Sequence, residues 1–530
     1  MASLTEIPPV RSASPAPAEI RSQQTEVFAV HGADPEVLAY AMAKYSRSAL
    51  SMKESLREIS SQRAEQFLNT FYFQYGHRSI ADLAHIAFAV ERLSLLAAIV
   101  LVDEQRWDGQ ERSTRYQNFR KSGWFMPDFG ADAASADRYR AAIENLFTNY
   151  HTVFEAVFAS LKNQVAKPEA MKPETYDRTL KARAFDVARY LLPLATNTSL
   201  GQIVNARTLE TQVSRLLSSP IAEVRQLGAR LQAAASGPAW NVCADDLSAL
   251  QRDIAALDPA LGERAAALLT REVKTAPTLV KYAAPNDYQI RAREELRQAA
   301  TELLNDEPIE ASPLVDLVDD ADSIETDLAA TLLYGQSHYP YRQIRDRVAA
   351  LTETRRNEII SIGIRHRGPY DELLREFSAG HALRFDILMD IGGFRDMHRH
   401  RRCVQILQDF TPLHGYAIPE GVSAAGIQPL YEETVQSAHA AFAQLAGGSA
   451  PDAATTAQYV LPLGTKNRAL FKMDFAEALY ISELRSQAQG HFSYRRIAWE
   501  MYLAVERRHP ALAKYFRVTD ADAPIDLLKR

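Results

Sequence analysis

Cysteine is almost absent from this chain, since Cys243 and Cys403 are the only two among 530 residues. Two cysteines cannot build a disulfide framework, and neither stands in a C-x-x-C pair or a zinc-ligand pattern. Such a chain suits a reducing compartment. We therefore expect a cytoplasmic protein.

Long apolar runs are missing as well. The longest, "LSLLAAIVLV" at Leu93–Val102, has ten residues, about half of what a bilayer span requires. It is expected to be a buried segment, and no membrane association is expected. Residues 1–30 are rich in proline, alanine and serine but lack the basic start and apolar middle of a secretory signal, which predicts a disordered tail.

The remaining composition is ordinary: 47% hydrophobic and 24% charged residues, with a net charge of −6. These values are typical of a soluble globular protein. At roughly 150 residues per domain, the length predicts two to four domains. The acidic balance does not favour nucleic acid as a partner.

An internal repeat organises the chain. "ARYLLPLAT" from Ala188 and "AQYVLPLGT" from Ala457 share A-x-Y-x-L-P-L-x-T, which places Pro193 and Pro462 269 positions apart (462 − 193). Two further pairs lie upstream of the first pair and have the same order in both copies: "YSRSALSMKE" matches "YGQSHYPYRQ", and "YGHRSIADL" matches "IRHRGPYDEL". Three collinear matches predict a tandem duplication.

The predicted organisation has four parts. They are a disordered tail at 1–30, a first copy at 31–235, a helical segment with an acidic linker at 236–324, and a second copy at 325–530. The run "NDEPIEASPLVDLVDDADSIETD" is expected to be an exposed, solvated linker. Most of both copies has helical periodicity, while "FDILMDIG" and "GWFMPDFG" are typical of strands or strand ends. We predict an α+β fold, helix-rich with a small mixed sheet in each copy.

Two segments could carry chemistry. In "RDMHRHRRCVQ", three arginines and a histidine stand side by side at 399–402, and such a concentration of cations suits an anion. In "GQERSTRYQNF", Glu111, Ser113 and Arg115 alternate, so an extended segment would place them on one side. A guanidinium beside a hydroxyl suits a phosphate.

Together these segments resemble the signature of the flavin-dependent thymidylate synthases, R-H-R-x-x-S-x-N-E-x-S-x-R-Y. The first copy keeps E-x-S-x-R-Y at 111–116 but has Asp-Glu-Gln at 103–105 where the family has R-H-R. The second copy keeps R-H-R at 399–401 but has L-x-D-x-T-P at 407–412. The signature is therefore divided between the copies. "YGHRSIADLAH" is similar to the family's G-H-x-T-P-F-E-H, and "AKYS" to its A-R-V-S.

The resemblance implies two sets of site residues. The nucleotide-binding set is Glu111, Ser113, Arg115, Arg189 and Arg485. The cofactor-binding set is Arg399, His400, Arg401, Ser46, His77, Ser79, Asp82 and Asn205. No residue is assigned as a nucleophile. A metal held by His77, Asp82 and His85 is conceivable, but a cap or core role explains these residues better, and no metal is expected.

The resemblance also implies the reaction. Members of the family bind FAD, convert dUMP to dTMP with methylenetetrahydrofolate, use NADPH as reductant and form four-copy assemblies. A homodimer of this chain would rebuild such an assembly with pseudo-symmetry. Two alternatives remain open. One is a degenerate, non-catalytic nucleotide- or flavin-binding homologue, and the other is a flavin-folate enzyme acting on another uridine-containing substrate, including RNA.

Overall fold

The chain was analysed as a computed structural model. The structure describes residues 32–44, 56, 78–115, 117–119, 122–304, 307–318, 323–368, 371, 373–377, 383–450 and 452–528.

The helices and strands follow the repeat. In the first copy they are α1 (Pro35–Lys44), β1 (His85–Ser94), α2 (Leu95–Leu101), β2 (Asp108–Glu111), α3 (Ala133–Gln164), α4 (Pro173–Ala188), β3 (Asn197–Asn205), α5 (Ala206–Leu217) and α6 (Ala222–Ser236). Between the copies lie α7 (Ala244–Leu257), α8 (Pro259–Leu269), α9 (Asp287–Leu304) and β4 (Val315–Leu317).

The second copy contains α10 (Ile324–Tyr334), α11 (Tyr341–Ala349), α12 (Glu353–Ile362), β5 (Leu383–Asp390), α13 (Ile391–Met397), β6 (Val404–Leu407), α14 (Glu420–Ala424), α15 (Gln428–Ala446), α16 (Ala453–Ala457), β7 (Lys466–Met473), α17 (Phe475–Ser486), α18 (Phe492–Arg508) and α19 (Pro510–Ala513). Short 3₁₀ turns lie at Arg78–Leu83, Arg189–Leu191, Arg375–Phe377, Pro412–His414 and Gln458–Val460.

Each copy contains one antiparallel sheet. The orders are β1-β3-β2 and β4-β5-β7-β6. Strand β1 pairs with β3 from His85 opposite Asn205 onward, and β5 pairs with β7 from Leu383 opposite Met473. The predicted α+β class is confirmed. The sheets were expected to be mixed, but every described strand pair is antiparallel.

The two copies meet across a pseudo-twofold axis at the repeated Leu-Pro-Leu. Pro193 bridges Pro462. The Leu194 N–H donates to the Leu461 carbonyl at 2.9 Å, and the Leu463 N–H donates to the Leu192 carbonyl at 3.0 Å. Because equivalent residues exchange equivalent bonds, the interface has the self-complementary form of an isologous dimer within one chain.

The apolar run at Leu93–Val102 is mostly buried, as predicted. Helix α2 begins at the N-cap Ser94, whose hydroxyl accepts from the Ala97 N–H at 2.9 Å, and most of its side chains are buried. In the second copy Asp390 caps α13 in the same way, accepting from the Gly393 N–H at 2.7 Å. The two helices thus hold the following loops at equivalent places.

The acidic linker was expected to be solvated, and this is wrong for strand β4 and for Asp327 at its end. Strand β4 adds to the sheet beside β5, and Asp327 is buried, where it binds Lys472 Nζ at 2.9 Å and Arg384 at 3.2 Å. Burial raises the pKa of Asp327, but Lys472 outweighs this and the pKa is lowered. The aspartate is an internal counter-ion.

The two segments that were predicted to be strands or strand ends differ in the structure. "FDILMDIG" lies in β5 and the start of α13, whereas "GWFMPDFG" contributes an isolated bridge between Trp124 and Thr196. Among the helices that the structure describes, none is both long enough and apolar enough to cross a bilayer.

Candidate functional site

The cationic stretch lies in the loop between α13 and β6, and its side chains diverge. Arg399 is exposed. The Arg401 guanidinium lies 4.3 Å from the ring centroid of Trp107, which belongs to the first copy. Arg402 pairs with Asp474 at 2.9 Å. Within the described parts of the chain, no carboxylate lies within ion-pair distance of Arg399 or Arg401, so their charges remain available.

His400 is buried between two helices and acts as an acceptor. Arg485 Nε–H donates to His400 Nε2 at 2.8 Å, so the ring proton must be on Nδ1, which lies 3.7 Å from Glu477 Oε1. Burial lowers the pKa of His400, and the nearby Arg485 adds to this. The neutral imidazole therefore positions Arg485, while the half-exposed Tyr480 lies against its edge.

Tyr494 joins arginines from the two copies. The guanidinium of Arg485 lies 5.4 Å from the Tyr494 ring and that of Arg115 lies 5.5 Å from it. Arg115 also donates to the Tyr494 hydroxyl at 2.8 Å and to both oxygens of Asp186, at 2.8 and 3.3 Å. Burial would lower the pKa of Arg115, but Asp186 outweighs it and the pKa is raised. Arg115 is a permanent, buried cation.

The second half of the signature contacts the segment that carries the first half. Glu111, at the end of β2, accepts from Arg395 of α13. The chain then turns instead of remaining extended: the Ser113 hydroxyl accepts from the Arg115 backbone N–H at 3.2 Å. The extended conformation that would place Glu111, Ser113 and Arg115 on one side is therefore not present, because a turn begins at Thr114; their binding to one nucleotide stays a prediction.

Arg189 is the deepest member of the predicted nucleotide-binding set, with 2% of its surface exposed. It donates to the Thr114 hydroxyl and the Gly392 carbonyl, both at 3.3 Å, and lies 3.5 Å from Asp396. Burial raises the pKa of Asp396, but Arg189, Arg115 and Arg399 outweigh it and the pKa is lowered. The aspartate stays ionised among these cations.

These contacts define what we call the composite site. It comprises Glu111, Arg115 and Arg189 of the first copy with Arg395, Asp396, Arg399, His400, Arg401, Arg485 and Tyr494 of the second. Its paired arginines, Arg115, Arg189 and Arg395, each contact a carboxylate. Its open arginines, Arg399, Arg401 and Arg485, have none within ion-pair distance among the described residues.

Several buried polar atoms of the composite site have no hydrogen-bond partner among the residues that the structure describes. They are the Nε atoms of Arg189, Arg395 and Arg401 and the Oδ2 atom of Asp396. Buried polar atoms in folded proteins almost always have partners, supplied by protein, water or a bound group. An anion or ordered water at this place would accept hydrogen bonds from the three guanidinium N–H donors.

The pseudo-equivalent position in the first copy carries the opposite charge. Asp103 follows α2 by two residues, as Arg399 follows α13. Asp103 pairs with Arg375, and Glu104 pairs with Arg215 at 2.7 Å. Burial raises the pKa of Asp103, but Arg375, His398 and Arg215 together outweigh it and the pKa is lowered. Asp103 is thus held by Arg375 and His398, which both belong to the second copy.

A cleft of about 1180 Å³ opens at this counterpart, where Asp103, Glu104, Arg215 and Arg375 line it. A smaller cavity is lined by Asp103 and Glu104 together with His398 and Arg401 of the cationic stretch. The four named cleft residues neutralise one another, whereas the open arginines have no carboxylate within ion-pair distance among the described residues.

The rest of the predicted cofactor set is not brought to the open arginines by any described contact. Asp82 pairs with Arg207 at 3.3 Å, and Asn205 caps α5 by accepting from the Thr208 N–H at 2.8 Å. Ser46 and His77, and the side chain of Ser79, lie outside what the structure describes.

The described residues contain no cluster of metal ligands, and the cysteine beside His400 is buried. In the part of the chain that the structure describes, no group of three or more histidine, cysteine, aspartate or glutamate side chains could hold a metal ion. Cys403 is buried, its thiol donates to the His400 carbonyl at 3.1 Å, and burial raises its pKa to about 12. Such a thiol is a poor nucleophile at neutral pH.

The sequence reasoning missed four functional positions. Arg395 and Asp396 open the cationic stretch itself, so a reading of its full length could have included them. Tyr494 lies beside the arginines of "GHFSYRR", and Trp107 lies inside the first copy's signature segment. No local pattern identified either aromatic residue, because its role depends on a guanidinium from a distant segment.

Comparisons with known proteins agree with the repeat. The family model for the thymidylate synthase complementing proteins matches twice, at residues 26–234 and 328–511. A UPF0159 protein of Chlamydia muridarum is 28% identical over 92% of this chain and 90% of that protein. A UPF0159 protein of Thermoplasma acidophilum is 24% identical over 92% and 96%.

One relative carries a functional name. The flavin-dependent thymidylate synthase of Clostridium tetani is 27% identical over 177 residues, which are 33% of this chain and 67% of that protein. Among solved structures, thymidylate synthase X of Helicobacter pylori with FAD and dUMP is 17% identical, covers 38% of this chain and 88% of its own, and has a TM-score of 0.26.

Proposed function

Because the chain belongs to the family of thymidylate synthase complementing proteins, whose model matches both copies, we propose that it is a flavin-dependent enzyme that methylates a uridine nucleotide. The reaction converts dUMP to dTMP at the composite site, with methylenetetrahydrofolate as carbon donor and NADPH as reductant. Two chains associate into a pseudo-tetramer, and the enzyme works in the cytoplasm.

One observation carries the proposal. The segments that hold the two halves of the divided signature lie together between the copies: Glu111 of the first copy contacts Arg395 of the second, and Arg115 and Arg485 share Tyr494. Neither copy alone contains both halves. Within the described ranges of the chain, the buried Nε–H donors of Arg189 and Arg395 have no acceptor, which suits a phosphorylated ligand.

The residues present suit the phosphates of FAD. Arg399 and Arg401 are neighbouring cations without a carboxylate partner among the described residues, and burial and Arg399 lower the pKa of Arg401. A dianionic pyrophosphate would offset their mutual repulsion. We assign the FAD phosphates to this pair. When bound, FAD would supply the hydride that completes the methyl group.

The nucleotide phosphate is assigned to the paired arginines. The Nη2 nitrogen of Arg189 can turn toward a ligand only by leaving Asp396, 3.5 Å away, whereas its Nε–H has no partner among the described residues. Ligand phosphate therefore competes with a carboxylate already in place. Arg115 is held more firmly, by two oxygens of Asp186, so its role is to fix Tyr494 and the charge of the site and not to move.

The same pairing favours a second candidate, a non-catalytic nucleotide- or flavin-binding protein. Arg115, Arg189 and Arg395 are each neutralised by a carboxylate. A site whose arginines are already neutralised by carboxylates needs no ligand to be stable. This candidate predicts binding of FAD or dUMP without turnover.

Genetic complementation with a matched pair of variants separates the candidates. The chain is expressed in a thymidine-requiring strain as wild type, Arg401→Gln and Arg402→Gln. An enzyme should restore growth in the wild type and in Arg402→Gln, since Arg402 pairs with the exposed Asp474, but not in Arg401→Gln. Failure of the wild type to restore growth, in a preparation that still binds FAD, would favour the second candidate.

A further inference from the structure

The cleft of about 1180 Å³ at the counterpart position has no part in the proposed function. Its walls come from both copies and from the segment between them, since α5, α9, the loop after α10 and strand β6 all contribute lining residues. Pockets for small molecules usually have volumes of roughly 300–1,000 Å³. The cleft therefore has room for a ligand of nucleoside size.

Three glutamine side chains in the cleft have buried acceptors that no described residue satisfies. They are Gln289 of α9, Gln336 after α10 and Gln405 of β6, and in each the Oε1 atom is buried without a hydrogen-bond donor. Buried polar atoms in folded proteins almost always have partners, supplied by protein, water or a bound group. Unsatisfied amide oxygens suit a ligand that supplies N–H groups.

Gln405 is the most constrained of the three. It is 7% exposed, and its Nε2–H donates to the His400 carbonyl at 2.6 Å. That bond fixes which end of the amide is the acceptor, so Oε1 cannot be exchanged with the nitrogen by a flip. Its backbone carbonyl accepts from Arg375 at 3.3 Å, which also lines the cleft. The Gln405 oxygen is thus a fixed acceptor at this wall.

Arg293 adds hydrogen-bond donors on the side of α9. It follows Gln289 by one helical turn, so the two side chains share a face. Among the described residues, no carboxylate lies within ion-pair distance of Arg293. Burial lowers its pKa, and the nearby Glu376 only partly offsets this. Arg215 and Arg375 are instead each held by a carboxylate. Arg293 therefore offers its guanidinium to a ligand.

The charge of the cleft does not favour a phosphate. Among the described residues, six arginines and seven acids line it, a net charge of −1. Phosphate sites instead concentrate uncompensated cations, as Arg399 and Arg401 do in the composite site. The cleft is therefore suited to an uncharged ligand that donates N–H groups and accepts hydrogen bonds from a guanidinium.

We propose that the cleft is a second ligand site, which takes an unphosphorylated guanine base or nucleoside. Guanine carries the N1–H and N2 amine donors on one edge, which suit the glutamine oxygens. Its O6 and N7 acceptors lie on another edge, where arginine is their commonest specific partner. Adenine and cytosine place an acceptor nitrogen beside their amine, and uracil has no amine. The proposal does not depend on the proposed function.

A matched pair of ligands tests the proposal on the unaltered chain by calorimetry. Guanosine should bind at one site per chain. Inosine differs from guanosine only by lacking the exocyclic amine, and it should bind about 5- to 30-fold more weakly, because a buried amide oxygen then stays without a donor. Guanosine monophosphate should bind no more tightly than guanosine. Equal binding of inosine, or tighter binding of the monophosphate, would overturn the proposal.

A matched pair of variants locates the binding. Gln289→Leu removes one acceptor and should weaken guanosine binding by about 5- to 30-fold. Gln298→Leu is the control on the same helix, because the Gln298 amide is exposed and donates to Glu302 at 3.0 Å; it should leave guanosine binding unchanged. Circular dichroism checks that both variants are folded. A wild type that does not bind guanosine at about 1 mM, or equal affinity in the two variants, would contradict the assignment.

Discussion

Replacing Asp396 by asparagine should tighten nucleotide binding while it weakens the fold. Asp396 lies 3.5 Å from Arg189, and two unit charges at that separation attract by about 5 kcal/mol at an effective dielectric of about 20. Desolvation and the remaining amide contact reduce the net worth to about 1–3 kcal/mol. Asp396→Asn should therefore lower the free energy of unfolding by about that amount at neutral pH, measured by urea denaturation.

The same change frees Arg189 for a ligand. Removing a carboxylate that competes with phosphate should tighten dUMP binding by about tenfold or more, which corresponds to about 1.4 kcal/mol. Isothermal titration calorimetry measures this on the FAD-loaded protein. Asp474→Asn is the matched control, because Asp474 pairs with an exposed arginine at 2.9 Å and such surface pairs contribute about 0–1 kcal/mol. Unchanged or weaker dUMP binding in Asp396→Asn would refute the competition.

Three other outcomes follow from buried contacts. Burial lowers the pKa of His400 below its usual 6.5, so its neutral form contributes stability that is present above pH 6.5 and lost as the pH falls; His400→Gln should lose less unfolding free energy than wild type between pH 7 and 5. Lys472→Met leaves Asp327 short of a partner at 2.9 Å and should cost about 3 kcal/mol or more in urea unfolding; a loss below about 1 kcal/mol would contradict the internal counter-ion role. Trp107→Leu should weaken FAD binding by about 0.5–2 kcal/mol, whereas Trp107→Phe should retain most of it; equal losses would exclude ring stacking as the cause.

The duplication was predictable because short sequence strings recur in the same order in both copies. The Leu-Pro-Leu strings that identify the two copies form the pseudo-twofold contact itself, where Pro193 bridges Pro462. The burial of Leu93–Val102 was equally predictable, since nine of its ten residues are apolar and a run of that kind belongs in a core. The boundaries of the copies remain a prediction, because the family match at 26–234 and 328–511 does not define where each copy ends.

The composite site was only half predictable. The cationic stretch and the segment after β2 were identified, but Glu111 and Arg395 are 284 positions apart, and their contact depends on how the copies pack. The extended reading of Glu111 to Arg115 failed because Ser113 accepts a local backbone bond, a competition that serine often wins in loops.

The prediction that the linker is solvated was wrong for Asp327 for a related reason. Its acids suggested solvation, but Asp327 pairs with Lys472 and Arg384, which belong to strands 145 and 57 positions away, respectively. Local composition describes the charge of a segment without showing which counter-ions the fold brings to it. Burial of an acid is thus decided by tertiary packing.

Titration of FAD and dUMP into the purified chain tests the central claim most directly. The composite site is one per chain, because its counterpart carries Asp103 and Glu104 where the open arginines would stand. Calorimetry should give one FAD and one dUMP per chain, with FAD binding lost in Arg401→Gln and retained in Arg402→Gln. Two ligands per chain, or equal binding by the two variants, would contradict the account.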